Sequence, residues 1–199
     1  MNPAPTLLLH CCCGPCGSAC IERLLQEGRS CRLLFSNSNL DCREEFDRRL
    51  ENLQRVAGFF GLGEVMVDEY RHGEWLDHVG RLPDFQSLPE GGGRCALCFS
   101  WSLSRAQYYA EREKCAFATS LTVSPHKSSK LLAEVGGGFS RYEHHDFKKK
   151  DGFLRSLQLS RQLGLYRQDY CGCEFSRRSM SVRSCGSCSD QLSSKTIRR

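Results

Sequence analysis

The chain has 199 residues, 40% of them hydrophobic, which is enough for one hydrophobic core with at most a short appendage. Its formal net charge of +5 is mild and is compatible with nucleic acid or a small anion as a partner. The N-terminal apolar run is too short for a signal peptide or a membrane span, so we expect a cytoplasmic protein without membrane contact.

The predicted elements alternate between short strands and amphipathic helices. We predict strands over 7–9, 32–35, 64–67 and 117–123, and helices over 19–26, 41–60 and 95–113. This order predicts an α/β fold, a Rossmann-like parallel sheet flanked by helices. We assign residues 1–175 to this domain and expect residues 176–199 to form a basic, serine-rich, disordered tail.

Two motifs follow predicted strands. The first strand runs into "HCCCGPC" (10–16), and the fourth runs into "SPHK" (124–127), where Ser124 is predicted to cap the next helix. Because ligands of open parallel sheets bind at the carboxyl ends of the strands, we expect the two motifs to meet there and to form a metal site.

Fourteen cysteines are the most unusual feature of the composition. In a reducing compartment, clustered thiols favour metal ligation or redox chemistry over a disulfide framework. One group holds Cys11 to Cys13 with Cys16, and a second group is the C-x2-C pair Cys95 and Cys98. Together they can complete a zinc site or an iron-sulfur cluster. Vicinal thiols such as Cys12 and Cys13 are difficult to arrange around a single zinc ion, and a larger cluster tolerates them better.

The "CGC" stretch holds a third pair, Cys171 and Cys173. A disulfide across one intervening residue is strained and easily reduced, so this pair can store two electrons. Further metal ligands and ordinary free thiols are the alternatives. Another C-x2-C pair, Cys185 and Cys188, lies in the predicted tail, and the sequence leaves its role open.

Several polar and aromatic residues lie near these cysteines in the sequence. A basic run is a candidate contact for phosphates, although such runs are also ordinary solvated surface: Lys148, Lys149 and Lys150. Tyr166 beside Arg167 suits stacking on an exposed base, or packing at a rim. His126 is a candidate proton donor.

Five motifs in order resemble the QueH family of epoxyqueuosine reductases: "LLLHCCCGPC", "GGGRCALCF", "SLTVSPHKS", "DFKKKDGF" and "GLYRQDYCGC". The resemblance runs from about Leu7 to Phe175. It implies that the protein reduces the epoxide of epoxyqueuosine at the wobble position of tRNA to give queuosine. The implied partners are that tRNA and an electron donor that the sequence does not identify.

The resemblance also implies roles for individual cysteines. Cys171 and Cys173 become a redox-active pair, and a 4Fe-4S cluster is held by four ligands, namely Cys12, Cys13, Cys95 and Cys98. A second iron or another metal is implied near the cluster, with Cys16 as its candidate ligand. We hypothesise that Asp169 or His126 delivers a proton.

Two other functional classes fit the residues without the resemblance. One is a zinc-stabilised RNA-binding module without catalysis, which metal content would distinguish from an iron-sulfur enzyme. The other is a thiol-disulfide oxidoreductase that uses "CGC" alone, for which the remaining clustered cysteines would be superfluous.

Overall fold

The computed structural model describes residues 6–178 of the chain. Within them, four parallel strands form one sheet in the order β3-β2-β1-β4. The strands are β1 (Leu7–Cys11), β2 (Cys31–Phe35), β3 (Met66–Val67) and β4 (Ala116–Thr119). The predicted parallel α/β sheet is confirmed, and the cysteines of "HCCCGPC" lie at the carboxyl end of the central strand β1.

Helices cover both faces of this sheet. They are α1 (Gly14–Gln26), α2 (Arg43–Phe59), α3 (His72–Val79), α4 (Gly93–Arg112), α5 (Ser129–Gly136), α6 (Gly152–Gln162) and α7 (Glu174–Arg178). Side chains of β1 alternate between the faces, as in any strand. Leu7 and Leu9 join the core beneath α1 and α2, whereas Leu8 joins a second cluster with Leu103 and Ala106 of α4.

Two predictions at the end of the fourth strand were wrong. The strand stops at Thr119, because the Thr119 hydroxyl accepts a hydrogen bond from the Leu121 amide and starts a 3-10 turn over Ser120–Val123. Ser124 does not cap the next helix. Ser128 caps α5 instead, its hydroxyl accepting from the Leu131 amide over 3.1 Å. Residues 124–127 therefore form a separate turn at the end of the sheet.

The predicted tail falls almost entirely outside the described residues. Helix α7 extends to Arg178, and residues 179–199, which include Cys185 and Cys188, are not described. Within 6–178, no helix is both long enough and apolar enough to cross a membrane.

Candidate thiol and metal site

The first group of thiols lies where β1 passes into α1. Cys13 is the N-cap of α1, and its sulfur accepts a hydrogen bond from the Cys16 amide over 3.5 Å. Cys12 Sγ lies 3.8 Å from Cys13 Sγ, and the three sulfurs of Cys12, Cys13 and Cys16 lie within 4.8 Å of one another. Gly14 permits this geometry, since a Cβ there would lie 2.6 Å from the Asn52 carbonyl oxygen of α2. The three sulfurs can bind one metal centre.

These three thiols do not ionise alike. Hydrogen bonding to the Cys13 sulfur raises the pKa of Cys12 to about 12, and the same interactions hold the pKa of Cys13 well below its ordinary value. The pKa of Cys16 is raised well above its ordinary value by its contacts with Cys12 and Cys13. Of the three thiols, Cys13 therefore ionises most readily, and the thiolate is the form that binds a metal ion.

The second group comes from the first turns of α4. Cys95 accepts a hydrogen bond from the Gly91 amide over 3.2 Å and packs against the cluster that contains Cys12 and Cys13. Cys98 packs one turn further along, with Cys173 and Trp75. Burial raises the pKa of both α4 thiols. The C-x2-C pair thus bridges the first group and the "CGC" turn.

The "CGC" turn is held by the N-terminal half of α2 and the residues before it. Arg49 Nη1 donates to the Cys171 carbonyl oxygen over 3.1 Å, and the Asp41 amide donates to the Gly172 carbonyl oxygen over 2.9 Å. Gly172 has φ of +123°, a conformation that favours glycine, and a Cβ there would lie 2.4 Å from Leu40 Cδ2. Cys171 and Cys173 are free thiols, and burial raises the pKa of Cys173 to about 11.

All of these groups border one cavity of about 390 Å³, within the size range of small-molecule pockets. The predicted site residues in its wall are Cys12, Cys16, Cys95, Cys98, His126, Arg167, Asp169, Cys171 and Cys173. Cys13 is not part of the wall, but its sulfur lies 3.8 Å from that of Cys12. The structure therefore brings together the candidate metal ligands and the candidate redox pair around a space that a ligand can occupy.

Lys127 is a residue of this cavity that the sequence interpretation missed. Burial works against its charge, but the surrounding thiols, Cys171 first and then those of the first group, outweigh burial and raise the pKa of the ammonium. Lys127 stays protonated and supplies a positive charge among the sulfurs. Its position in "SPHK", at the end of a strand, was the available signal, since that motif had already been assigned to the site.

Two buried donors on the cavity wall have no regular hydrogen-bond partner within the described part of the chain. They are Arg49 Nη2 and Trp75 Nε1. The Arg49 side chain is 2% exposed and forms an ion pair with Glu45, with Nε 2.6 Å from Oε1. Buried N–H groups without partners are rare, and these two are available to an acceptor at the cavity.

The predicted tRNA contacts lie mainly outside the cavity wall. Lys149 and Lys150 are exposed, and Lys148 Nζ donates to the Lys127 carbonyl oxygen over 2.9 Å, which joins the basic run to the cavity rim. Tyr166 is half-buried: its hydroxyl donates to Glu45, and Arg48 lies 4.9 Å from its ring centroid.

Comparison with known proteins identifies relatives of this chain. The family model described as "Epoxyqueuosine reductase QueH" matches residues 7–179. Proteins of that name from Thermotoga maritima and Streptococcus pyogenes are 33% and 31% identical to the chain. The alignments cover 86% of the chain and 90% of the first relative, and 89% of the chain and 72% of the second. A third relative of that name, from Acinetobacter baylyi, is 31% identical, over 88% of the chain and 82% of its own length.

Proposed function

Because this chain belongs to the QueH family of epoxyqueuosine reductases, we propose that it reduces the epoxide of epoxyqueuosine in tRNA to the alkene of queuosine. Both epoxide C–O bonds break, a C=C bond forms, and the oxygen leaves as water. The balance requires two electrons and two protons. The observation that best supports this function in the fold is the convergence of three thiol groups and Lys127 on one cavity.

We assign a 4Fe-4S cluster to four ligands, Cys12, Cys13, Cys95 and Cys98. Their thiol chemistry suits such a cluster. The unpartnered N–H groups of Arg49 and Trp75 support this assignment, since sulfur ligands and sulfides are acceptors that both donors could use. When bound, the cluster would supply single electrons. Cys16, whose sulfur is within 4.8 Å of those of Cys12 and Cys13, is the candidate ligand for an additional iron or other metal.

The Cys171 and Cys173 pair can supply the whole redox equivalent. Oxidation of the two thiols to a disulfide releases two electrons and two protons, which matches the conversion of an epoxide to an alkene and water. An external electron donor must then reduce the disulfide. Arg49 and the Asp41 amide hold the backbone of this turn, so both thiols stay at the cavity.

The remaining groups stabilise charge and move protons. As a C–O bond of the epoxide breaks, the oxygen becomes negative, and the Lys127 ammonium would stabilise that charge inside the cavity. Asp169 or His126, both on the wall, would deliver the proton that turns the oxygen into a leaving group. Lys148, Lys149, Lys150, Arg167 and Tyr166 would contact the tRNA around the entrance.

The test is anaerobic purification followed by measurement of iron, sulfide and zinc, and then an assay with tRNA that carries epoxyqueuosine and a chemical reductant. Digestion to nucleosides and mass spectrometry would report queuosine. We expect iron with matching sulfide and formation of product. The C171S and C173S variants should lose turnover, whereas C115S, at a half-buried thiol outside the cavity wall, should keep it.

Each part of the proposal has its own contrary result. Zinc without sulfide, after reconstitution with iron and sulfide had also failed, would replace the reductase with an RNA-binding module. Full turnover by C171S would end the role of the dithiol. Retained activity in a C95S/C98S variant would favour a thiol-disulfide oxidoreductase that needs only the "CGC" pair.

A further inference from the structure

Trp75 is the most deeply buried large side chain next to the α4 thiols. It lies in α3, is 1% exposed, and forms an apolar cluster with Val79 and Phe175. Cys98 and Cys173 pack against this cluster. The Trp75 ring stacks on the His72 ring, with 5.4 Å between centroids and 26° between planes, and this contact helps to hold the indole in its orientation.

The indole N–H of Trp75 has no regular hydrogen-bond partner within residues 6–178, although the ring forms part of the cavity wall. The Cys98 thiol packs against the same apolar cluster and borders the same cavity. Burial raises the pKa of Cys98, the neighbouring thiols Cys171 and Cys173 raise it further, and the indole N–H favours the thiolate against them. Because Trp75 and Cys98 share one apolar cluster and one cavity, the free N–H is available to the Cys98 sulfur, and the interaction would strengthen when that sulfur carries negative charge.

We propose that Trp75 is a positioning residue whose indole N–H donates to the Cys98 sulfur when that sulfur is a metal ligand, and that this bond makes the bound cluster easier to reduce. The inference rests on the proposed function for the presence of the cluster. It concerns a residue to which the cysteine pattern assigns no role.

The direction of the effect follows from electrostatics. Reduction adds negative charge to a cluster, and part of that charge is carried by the ligand sulfurs. An N–H donor stabilises the more negative state, so hydrogen bonds to ligand sulfurs raise the reduction potential. Loss of the Trp75 donor should make the potential more negative without changing the ligand set.

The chain provides its own control, because it has only two tryptophans. Trp101 lies in α4, three residues after Cys98, and its Nε1 is also buried without a partner, but it is not part of the cavity wall. We would measure the midpoint potential of the cluster by anaerobic titration followed by electron paramagnetic resonance. The expected result is a more negative potential for W75F and a wild-type potential for W101F.

A second measurement does not depend on the folding of W75F. Full-length W101F protein made with ¹⁵N-labelled tryptophan carries the label at Trp75 alone. Pulsed electron paramagnetic resonance of its reduced cluster should show a weak coupling to ¹⁵N, because a hydrogen bond to Cys98 connects the indole nitrogen to the spin system. The unlabelled W101F protein provides the background spectrum.

The outcomes distinguish a wrong role for Trp75 from a wrong cofactor assignment. If wild-type protein holds a cluster and W75F has the same potential, or the ¹⁵N coupling is absent, the role of Trp75 is wrong and the proposed function stands. If wild-type protein binds no iron and sulfide after reconstitution, the cofactor assignment is wrong, and the role of Trp75 is overturned with it.

Discussion

Arg49 donates a hydrogen bond from Nη1 to the carbonyl oxygen of Cys171 over 3.1 Å, although the two residues are 122 positions apart in the chain. The guanidinium reaches this position because Glu45, one turn earlier in α2, holds its Nε in an ion pair that is almost fully buried. A second Arg–carboxylate pair in the same helix, Arg43 with Asp47, is exposed. One helix thus has a buried and an exposed version of the same pairing.

The first prediction uses this contrast. R49M leaves the buried Glu45 carboxylate without its ion-pair partner and removes the bond to the Cys171 carbonyl, so we expect a loss of about 3–5 kcal/mol in the free energy of unfolding. R43M should cost less than about 1 kcal/mol. Urea unfolding under anaerobic conditions measures both.

The R49K variant tests whether the guanidinium shape matters for the turn. Lysine keeps the charge beside Glu45 but lacks the fork that also reaches Cys171. We expect R49K to recover most of the stability that R49M loses. We also expect Cys171 in R49K to be alkylated at a rate different from that of the wild type. Wild-type alkylation kinetics in R49K would mean that the Arg49 bond does not position the turn.

Gly172 gives a second prediction. A Cβ at this position would lie 2.4 Å from Leu40 Cδ2, and φ of +123° is strained for any L-residue with a side chain. We expect G172A to lose about 1–3 kcal/mol of stability and to displace the dithiol turn, with a fall in turnover larger than the fall in stability explains.

The matched control is G28A. Gly28 also has a positive φ, +72°, but a Cβ there would meet no atom within 4 Å, and the residue is remote from the cavity wall. G28A should therefore show backbone strain of about 1–2 kcal/mol and normal turnover. Equal activity losses in both variants would argue against a special role for the Gly172 conformation.

Local patterns predicted the parts of the site that depend on local sequence. An apolar run followed by "HCCCGPC" predicted a strand that ends in thiols, and the predicted helix over 95–113 placed the C-x2-C pair in its first turn. The predicted end of the fourth strand at Val123 was wrong. The apolar run over 117–123 is compatible with a strand throughout, but the hydrogen bond from the Leu121 amide to the Thr119 hydroxyl ends the strand at Thr119.

Arg49 and Trp75 could not be assigned in the same way. Arg49 occurs in the charged stretch "REEFDRR", which is typical of a solvated helix face. It is buried, and residues 170–172, far away in the sequence, lie against its guanidinium. The position of Trp75 depends on the packing of α3 against α4. Such tertiary contacts leave no periodic signal in the sequence.

A third prediction concerns Asp68, which follows β3 and accepts hydrogen bonds from Ser36, Arg105 and Tyr109. Burial opposes its charge, but Arg105 and Ser36 outweigh burial and hold the pKa below the ordinary 3.8. A carboxylate with a lowered pKa in the folded state stabilises the fold above its unfolded pKa, and this contribution is lost as the pH falls through the folded value.

Wild type should therefore have a higher free energy of unfolding than D68N at pH 6–7, and this difference should become smaller below about pH 4. Urea midpoints across this range measure it. D47N, at an exposed carboxylate, should change stability by less than about 1 kcal/mol at any pH. A D68N difference that stayed constant down to pH 3 would show that the Asp68 charge is not the source of the stabilisation.

The last prediction tests the basic run. Lys149 and Lys150 are exposed beside the cavity rim, whereas Lys148 is tied to the Lys127 carbonyl, so the K149Q/K150Q variant removes charge with little effect on the cavity. If both lysines contact phosphates, tRNA affinity should fall. The slope of log affinity against log salt should also become shallower by about 0.7–0.9 for each lost contact.

Lys114 provides a matched control for this experiment. It is exposed and, like Lys150, has a positive φ, but it precedes β4 and so lies at the amino ends of the strands, opposite the site. K114Q should leave both the affinity and the salt slope unchanged. Equal losses in the two variants would indicate a diffuse attraction from net charge, and no loss in K149Q/K150Q would remove these two lysines from the tRNA interface.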